Sequence, residues 1–300
     1  MNTRYAVIPA PSALGLRVDG VARAPAALLQ HGLADAREAR VGPTVAAPRG
    51  DGRIDPRAGV LNAKAIAAYA RDLAAAIDDA LARDEFPLVL GGDCSVLLGA
   101  MTALRRRGRY GLLFLDGHAD FYQPEAEPTG EAASMELGFV TGRGPELLTG
   151  DAPLRPLVRD EDVIVVGFRD AEPAAAEGSR PLPPTIRALD LAAVRSRGAE
   201  ETARVVAEHL TARDSADSFW IHLDVDVLDD SLMPAVDYRQ PDGLSWPELE
   251  QILAVALASG RAAGLELTIF NPDLDPDGRI AQDLSNHLSR ILDAPRPPTD

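Results

Sequence analysis

The chain has 300 residues, of which 46% are hydrophobic, and its 30 basic and 46 acidic side chains give a formal net charge of −16. A chain of this length can bury a large core, and the negative charge argues against a nucleic-acid partner because it repels phosphate backbones. The sequence has no apolar run of about 20 residues and no signal-peptide pattern at its start, which argues against a membrane span and against secretion.

In chain order, short apolar runs alternate with longer Ala/Leu/Arg-rich runs. The predicted strands are YAVIPA (5–10), FPLVL (86–90), YGLLFLD (110–116), DVIVVGF (162–168), SFWIHLDVDVL (218–228) and AAGLELTIF (262–270). The predicted helices cover 24–33, 95–108, 171–178, 245–260 and 280–292. Strands that are apolar on both faces indicate an α/β protein, with a mostly parallel sheet between two layers of helices. No linker divides the chain, so we predict one domain over residues 1–300.

Function is expected at the carboxyl ends of such strands. Three predicted strands end in unusual segments, GGDCSVLLG (91–99), DGHADFY (116–122) and HLDVDVLDD (222–230), and the first holds the only cysteine of the chain. A single cysteine forms no intramolecular disulfide and fits a reducing cytoplasm.

The second and third segments each place acids and a histidine at alternate positions: Asp116, His118 and Asp120, then His222, Asp224 and Asp226. Alternate residues of an extended backbone share one face, so these side chains can converge. Taken singly, the segments could be a turn-rich loop, an edge strand and an inert buried cysteine. Burying so many acids together is costly without a counter-charge, so in combination they favour a multivalent cation.

These three segments resemble, in the same order, the GGDHS, DAHxD and (S/H)xDxDxxDP signatures of the ureohydrolases, the arginase and agmatinase family. The resemblance extends to DGVARAPAALLQHGL near the start, to MPAVDYRQPDGLSWPEL and to GLELTIFNP near the end. It implies a three-layer α/β/α fold around a mostly parallel sheet of about eight strands. It also implies two Mn²⁺ ions bridged by a hydroxide that attacks a planar C–N centre, and a trimer or hexamer as the assembly.

The resemblance also assigns the metal ligands by position. Asp116 and Asp224 would bridge the two ions, with Cys94 and Asp120 on the first ion and His118 and Asp226 on the second. Two divalent ions lower the pKa of a shared water, and Asp120 could also orient the resulting hydroxide as a catalytic residue.

The first departure from the family pattern is Cys94, which stands where the signature has a histidine ligand. Its place at a predicted helix start favours the thiolate, which can bind a metal. A thiolate is softer than an imidazole and favours Zn²⁺ or Fe²⁺ over Mn²⁺. The alternative is a thiol that does not bind, next to a site with one metal.

The second departure is a missing histidine in the loop TGEAASMELGFVTGRG, where arginine-hydrolysing relatives carry a proton shuttle. That place falls on Ala133 or Ser134. Glu131, Glu136 or His222 could take over the proton transfer, and the alternative for the two glutamates is that they are exposed loop charges.

The third departure concerns the substrate. Ile269 stands where the family has a glutamate that binds guanidinium, which argues against ordinary arginine or agmatine. Glu266, Asp237 and Arg239 are the substrate-binding candidates, with a structural role open for Glu266 and a surface charge open for Arg239. The sequence therefore predicts a metal-dependent hydrolase of a guanidino or amidine C–N bond in a small polar molecule. The alternatives are a formimino, N-hydroxyguanidino or amide substrate, or a catalytically silent scaffold.

Overall fold

The sheet of this chain is fully parallel. A computed structural model describes residues 3–34, 39–150 and 154–293, and within them eight strands pair in the order β2-β1-β3-β8-β7-β4-β5-β6. The strands are β1 Tyr5–Ala10, β2 Arg40–Val41, β3 Phe86–Gly91, β4 Tyr110–Leu115, β5 Val163–Val166, β6 Arg187–Leu189, β7 Ser218–Asp224 and β8 Ala262–Thr268. The predicted parallel α/β sheet is confirmed.

Helices cover both faces of the sheet. They are α1 Ala24–Gln30, α2 Ala63–Ala82, α3 Leu97–Arg107, α4 Glu136–Val140, α5 Glu146–Thr149, α6 Ala171–Ala176, α7 Leu191–Arg197, α8 Ala199–Thr211, α9 Trp246–Ala258 and α10 Arg279–Asp293. Residues of α2, α3 and α4 pack in one hydrophobic core, and residues of α1, α7, α8, α9 and α10 pack in the other. The fold therefore has the three layers that the resemblance implies.

The alternation of side chains along the strands explains the two cores. In β7, Phe219, Ile221 and Leu223 face one core, whereas Trp220 faces the other. Successive residues of a strand point to opposite faces, so a strand between two helical layers must be apolar throughout.

Several elements differ from the sequence expectations. The short edge strands β2 and β6 were not predicted, and neither were the helices α2, α4, α5, α7 and α8. Strands β4 and β7 end earlier than predicted because the acids that follow them lie in turns. Strand β5 also ends earlier, at Val166, and β8 ends before Ile269, whose φ of 71° leaves the extended region. Among the described residues, none of the helices combines the length and the apolar character that a membrane span needs.

The strand order determines where the site forms. Strands β3, β8, β7 and β4 are consecutive neighbours in the centre of the sheet. Since all four are parallel, the segments after them meet at one edge, and these segments contain all three acid-rich or cysteine-bearing stretches of the sequence.

Candidate metal centre

The turn after β3 places Cys94 in the interior. Asp93 caps the 3₁₀ turn Cys94–Val96 by accepting a hydrogen bond from the backbone NH of Ser95 at 2.9 Å, as expected for a helix-entry turn. Gly92 is required here because a Cβ at this position would overlap the carbonyl oxygen of Ser12. Cys94 is 1% exposed, and its Sγ lies 2.8 Å from Asp224 Oδ2 and 3.4 Å from Thr268 Oγ1.

The segment after β4 is a tight turn, not the extended backbone that we expected. Asp116 Oδ1 accepts a hydrogen bond from the NH of His118 at 2.7 Å, and Asp120 has a φ of 43°, in the left-handed region. Such a conformation is uncommon for a residue other than glycine and is typical of functional sites. The side chains therefore converge through a turn closed by Asp116 itself, although their spacing in the sequence suggested a strand.

The segment after β7 behaves in the same way. Strand β7 ends at Asp224, whose Oδ1 accepts a hydrogen bond from the NH of Asp226 at 2.8 Å within the 3₁₀ turn Val225–Val227. Asp226 then joins the two turns, because its Oδ1 accepts from the NH of Gly117 at 2.9 Å and its Oδ2 lies 2.9 Å from His118 Nδ1.

His222 and Glu266 form a buried pair on the interior side of this cluster. His222 Nδ1 lies 2.7 Å from Glu266 Oε1, the imidazole stacks on Phe114 with ring centroids 4.5 Å apart, and Nε2 lies 3.8 Å from Asp116 Oδ2. Both side chains of the pair are completely buried. Glu266 thus faces His222, as the structural role that the sequence left open for it would require.

Eight residues from four segments form the centre. Three overlapping groups bring one possible ligand atom per residue within 4.8 Å of one another: Cys94, Asp116, His222 and Asp224; Cys94, Asp116, Asp120 and Glu136; and Asp116, His118 and Asp226. All six residues that the sequence assigned to metals are therefore together, and the structure adds His222 and Glu136.

The donor atoms of this cluster fit divalent cations. Several buried atoms have no hydrogen-bond partner among the described residues: Asp116 Oδ2, both carboxylate oxygens of Glu136, and His222 Nε2. Unpaired buried oxygen and nitrogen atoms are costly, and carboxylate, imidazole and thiolate groups are all metal ligands. Cations at these atoms would satisfy each of them.

The pKa values of the buried acids also favour a cation at this site. Burial, and then the neighbouring carboxylates, raise the pKa of Asp120 and of Asp224, and burial raises the pKa of Glu136 to about 8. Asp116 is the exception, because His118 and His222 outweigh its burial and hold its pKa well below its usual range. Burial and Asp224 also raise the pKa of the Cys94 thiol. Asp120, Asp224 and Glu136 thus hold protons more tightly than free carboxyl groups do, and a cation would compete with those protons.

A second group of acids lies among the loops around residues 15–20, 129–131 and 235–239. Glu131 is 6% exposed, and it accepts hydrogen bonds from the NH of Arg17 at 2.6 Å and from the hydroxyl of Tyr238 at 2.8 Å. Asp237 accepts two hydrogen bonds from Asn271 Nδ2, at 2.9 and 3.0 Å. Arg239 is directed to Asp230, 3.0 Å away.

These positions settle one alternative and leave others as predictions. Glu131 and Glu136 are buried, so the reading of both as exposed loop charges is wrong. Glu136 was proposed only as a proton shuttle, and its place in the sequence, as an acid that opens the apolar stretch ELGFV, does not by itself mark it as a member of the cluster. The catalytic roles of Asp120, His222 and Glu131 and the substrate contacts of Asp237, Arg239 and Glu266 stay predictions.

Together, the parallel three-layer fold and the acid cluster at its carboxyl edge define an α/β protein with a candidate centre for more than one metal ion. The family model described as the arginase family matches residues 3–292. The chain belongs to the arginase family.

Individual relatives agree with this assignment. An arginase of Staphylococcus aureus strain COL is 27% identical over 208 residues, which cover 69% of this chain and 67% of the relative. An arginase of Brucella melitensis is 29% identical over 231 residues, which cover 72% of each protein. The solved structure of the Bacillus caldovelox arginase has the same fold, with a TM-score of 0.86 at 24% identity over 97% of this chain and 98% of that one.

Proposed function

We propose that this arginase-family hydrolase cleaves a C–N bond at a guanidino or amidine carbon of a small cationic molecule. We also propose that it depends on two divalent metal ions, with Mn²⁺ as the expected metal. The observation that carries the proposal is the buried cluster of acids with unpaired oxygens at the carboxyl edge of the sheet. Family membership supports the hydrolase class, and the curated relatives named above are arginases.

The ions would be held by Cys94, Asp116, Asp120 and Asp224 at one position and by Asp116, His118, Asp224 and Asp226 at the other. When bound, the ions would lower the pKa of a bound water and so supply the nucleophile. The residues of the chain would orient this water. Asp120 lies beside Glu136 and Asp116 in the cluster, where its carboxylate would accept a hydrogen bond from the attacking water and orient it.

The Glu266 carboxylate orients the ring of His222, so that Nε2 faces Asp116. Both residues are fully buried, which keeps bulk water out of the floor of the site and strengthens the electrostatic interactions there. His222 therefore holds its Nε2 toward the carboxylate of Asp116 from the buried side of the site. We assign proton transfer to the leaving group to Glu131.

The second group of acids supports a positively charged substrate. Glu131 and Asp237 lie in the loops next to the centre, and their carboxylates are held in fixed orientations by Tyr238 and Asn271. Arg239 is paired with Asp230 at 3.0 Å, and we assign it the carboxylate of a substrate only if that pair opens.

Ile269 favours a second candidate class of substrate. This residue is 5% exposed and holds a φ of 71°, which is unusual for a β-branched residue, in the segment that follows β8. An apolar side chain cannot pair with a guanidinium, so an N-hydroxyguanidino, formimino or amide group is the runner-up substrate.

The experiment is a substrate panel on protein loaded with Mn²⁺ and desalted. Guanidino, amidine, N-hydroxyguanidino, formimino and amide compounds are incubated with the enzyme, and the release of urea, ammonia or the matching amide is measured. We expect hydrolysis of at least one compound and its loss in Asp224→Asn, together with loss of bound metal. Full activity in that variant, or metal-loaded protein that hydrolyses nothing, would favour the silent scaffold.

A further inference from the structure

Glu136 has no assigned role in the metal centre, although its position is unusual. It is the first residue of α4 and is completely buried. Neither of its carboxylate oxygens accepts a hydrogen bond from an N–H group among the described residues, and the neighbour of its side chain is another acid, Asp120. A buried carboxylate with both oxygens unpaired costs several kcal/mol. Such a group calls for a cation.

The local backbone fixes Glu136 against the metal centre. The NH of Leu137 donates to the carbonyl oxygen of Asp120 at 3.2 Å, so α4 begins directly beside the Asp120 turn. Ligand atoms of Glu136, Cys94, Asp116 and Asp120 all lie within 4.8 Å of one another. This spacing fits four donors around a single ion.

We propose that Glu136 is a ligand of the metal position that contains Cys94, and that its carboxylate makes this position suitable for an oxygen-preferring cation such as Mn²⁺. The proposal rests on the metal dependence inferred above and adds a ligand to it. A thiolate alone would bias the position toward Zn²⁺. A further hard oxygen donor opposes that bias, because Mn²⁺ prefers carboxylate ligands.

The test compares Glu136→Gln with Glu131→Gln, a matched control that removes another buried glutamate of the same loop. In the control, the lost carboxylate is one that Arg17 and Tyr238 already satisfy. Mn²⁺ and Zn²⁺ binding to the chelator-treated full chain are measured by equilibrium dialysis with elemental mass spectrometry. Co²⁺ titration reports the Cys94 position through thiolate-to-cobalt charge-transfer absorption.

In Glu136→Gln we expect the affinity of the Cys94 position for Mn²⁺ to fall at least about tenfold. The affinity for Zn²⁺ should fall less, so the ratio of Mn²⁺ affinity to Zn²⁺ affinity should also fall. The cobalt–thiolate absorption band should reach half of its maximum at a higher Co²⁺ concentration. The metal position of His118 and Asp226 and the Glu131→Gln control should keep their affinities. A residue that only positions other ligands would weaken both metals by the same factor.

The melting temperature gives a second readout. Without metal, Glu136→Gln should melt at a higher temperature than the parent chain, because a buried acid is gone; with Mn²⁺, its gain in melting temperature should be smaller. An unchanged Mn²⁺ to Zn²⁺ preference, or equal weakening of both metal positions, overturns the proposal. Glu136→Asp, which keeps a carboxylate, decides the case if the glutamine variant does not fold: retained Mn²⁺ preference supports the proposal and Zn²⁺ preference opposes it. None of these measurements uses substrate, so they stand even if the proposed hydrolysis fails.

Discussion

At the scale of single residues, Cys94 is the proposed ligand through which the chain would bias its choice of metal. Its Sγ lies 2.8 Å from Asp224 Oδ2, within the set of ligand atoms around Asp116. We predict that Cys94→His raises the Mn²⁺ content of desalted protein toward two ions per chain and lowers the Zn²⁺ content, because imidazole is a harder ligand than thiolate. Elemental mass spectrometry measures both, with Cys94→Ser as the control that removes the thiolate without adding an imidazole. Equal Mn²⁺ content in the parent and histidine proteins would show that Cys94 is not a ligand.

The pair of His222 and Glu266 gives a second prediction at this scale. Glu266→Gln keeps a hydrogen-bond acceptor for His222 but removes the charge, so the imidazole supports Asp116 less firmly. We expect kcat, or the affinity for metal, to fall about tenfold or more while KM changes less. Steady-state kinetics on the best substrate of the panel and metal titration measure these effects.

The chain offers a matched control for this variant. Glu250 Oε1 lies 2.6 Å from His287 Nδ1 in a second Glu–His pair, which lies between α9 and α10. Glu250→Gln should change neither kcat nor metal affinity. A similar loss in both variants would trace the effect to general stability and remove the positioning role.

Much of the centre could be predicted from single residues, and the reason is local. Asp116, His118, Asp224 and Asp226 sit in short motifs whose own hydrogen bonds close the turns, so the motif carries its geometry with it. The place of Glu136 in the cluster could not be predicted, because Glu136 lies 42 residues after Cys94 in the chain and approaches it only through the packing of α4 beside the Asp120 turn. Contacts of that kind are decided by tertiary packing.

At the scale of elements, the contact between β7 and β8 depends on a glycine. A Cβ at Gly264 would overlap the indole ring of Trp220, which is completely buried. We predict that Gly264→Ala lowers the free energy of unfolding by about 1–3 kcal/mol through overpacking. Urea denaturation measures it. The double variant Gly264→Ala with Trp220→Leu should be less destabilised than the sum of the two single variants, and strict additivity would show that the two side chains do not clash.

The elements themselves were predictable to different degrees. The central strands are continuous apolar runs, so burial on both faces could be recognised directly. The edge strands β2 and β6 have only two and three residues and mostly lack buried side chains, so no periodic pattern marks them. The predicted ends of β4 and β7 were too late because the acids there occur at alternate positions, as strand residues do, whereas the carboxylates of Asp116 and Asp224 close turns.

At the scale of the whole molecule, assembly and location stay predictions. The resemblance to the arginase family implies a trimer or hexamer, and the single cysteine is in keeping with the cytoplasm. Light scattering on the metal-loaded protein should give a mass of three or six times 31.8 kDa. A mass of one chain at micromolar concentration would contradict the prediction.

The net charge of −16 leads to the last prediction, which also separates the two classes of substrate. A negatively charged protein attracts cations over long range, and salt screens this attraction, with a Debye length of about 10 Å at 0.1 M. For a cationic guanidino substrate, kcat/KM should therefore fall several-fold as NaCl rises from low to physiological concentration. For a neutral amide substrate it should stay nearly constant. Steady-state kinetics in a salt series, with metal content checked at each concentration, measures both. An equal decline for the two substrates would show that salt acts on the enzyme itself, and the acids near Glu131 would then not select the substrate by its charge.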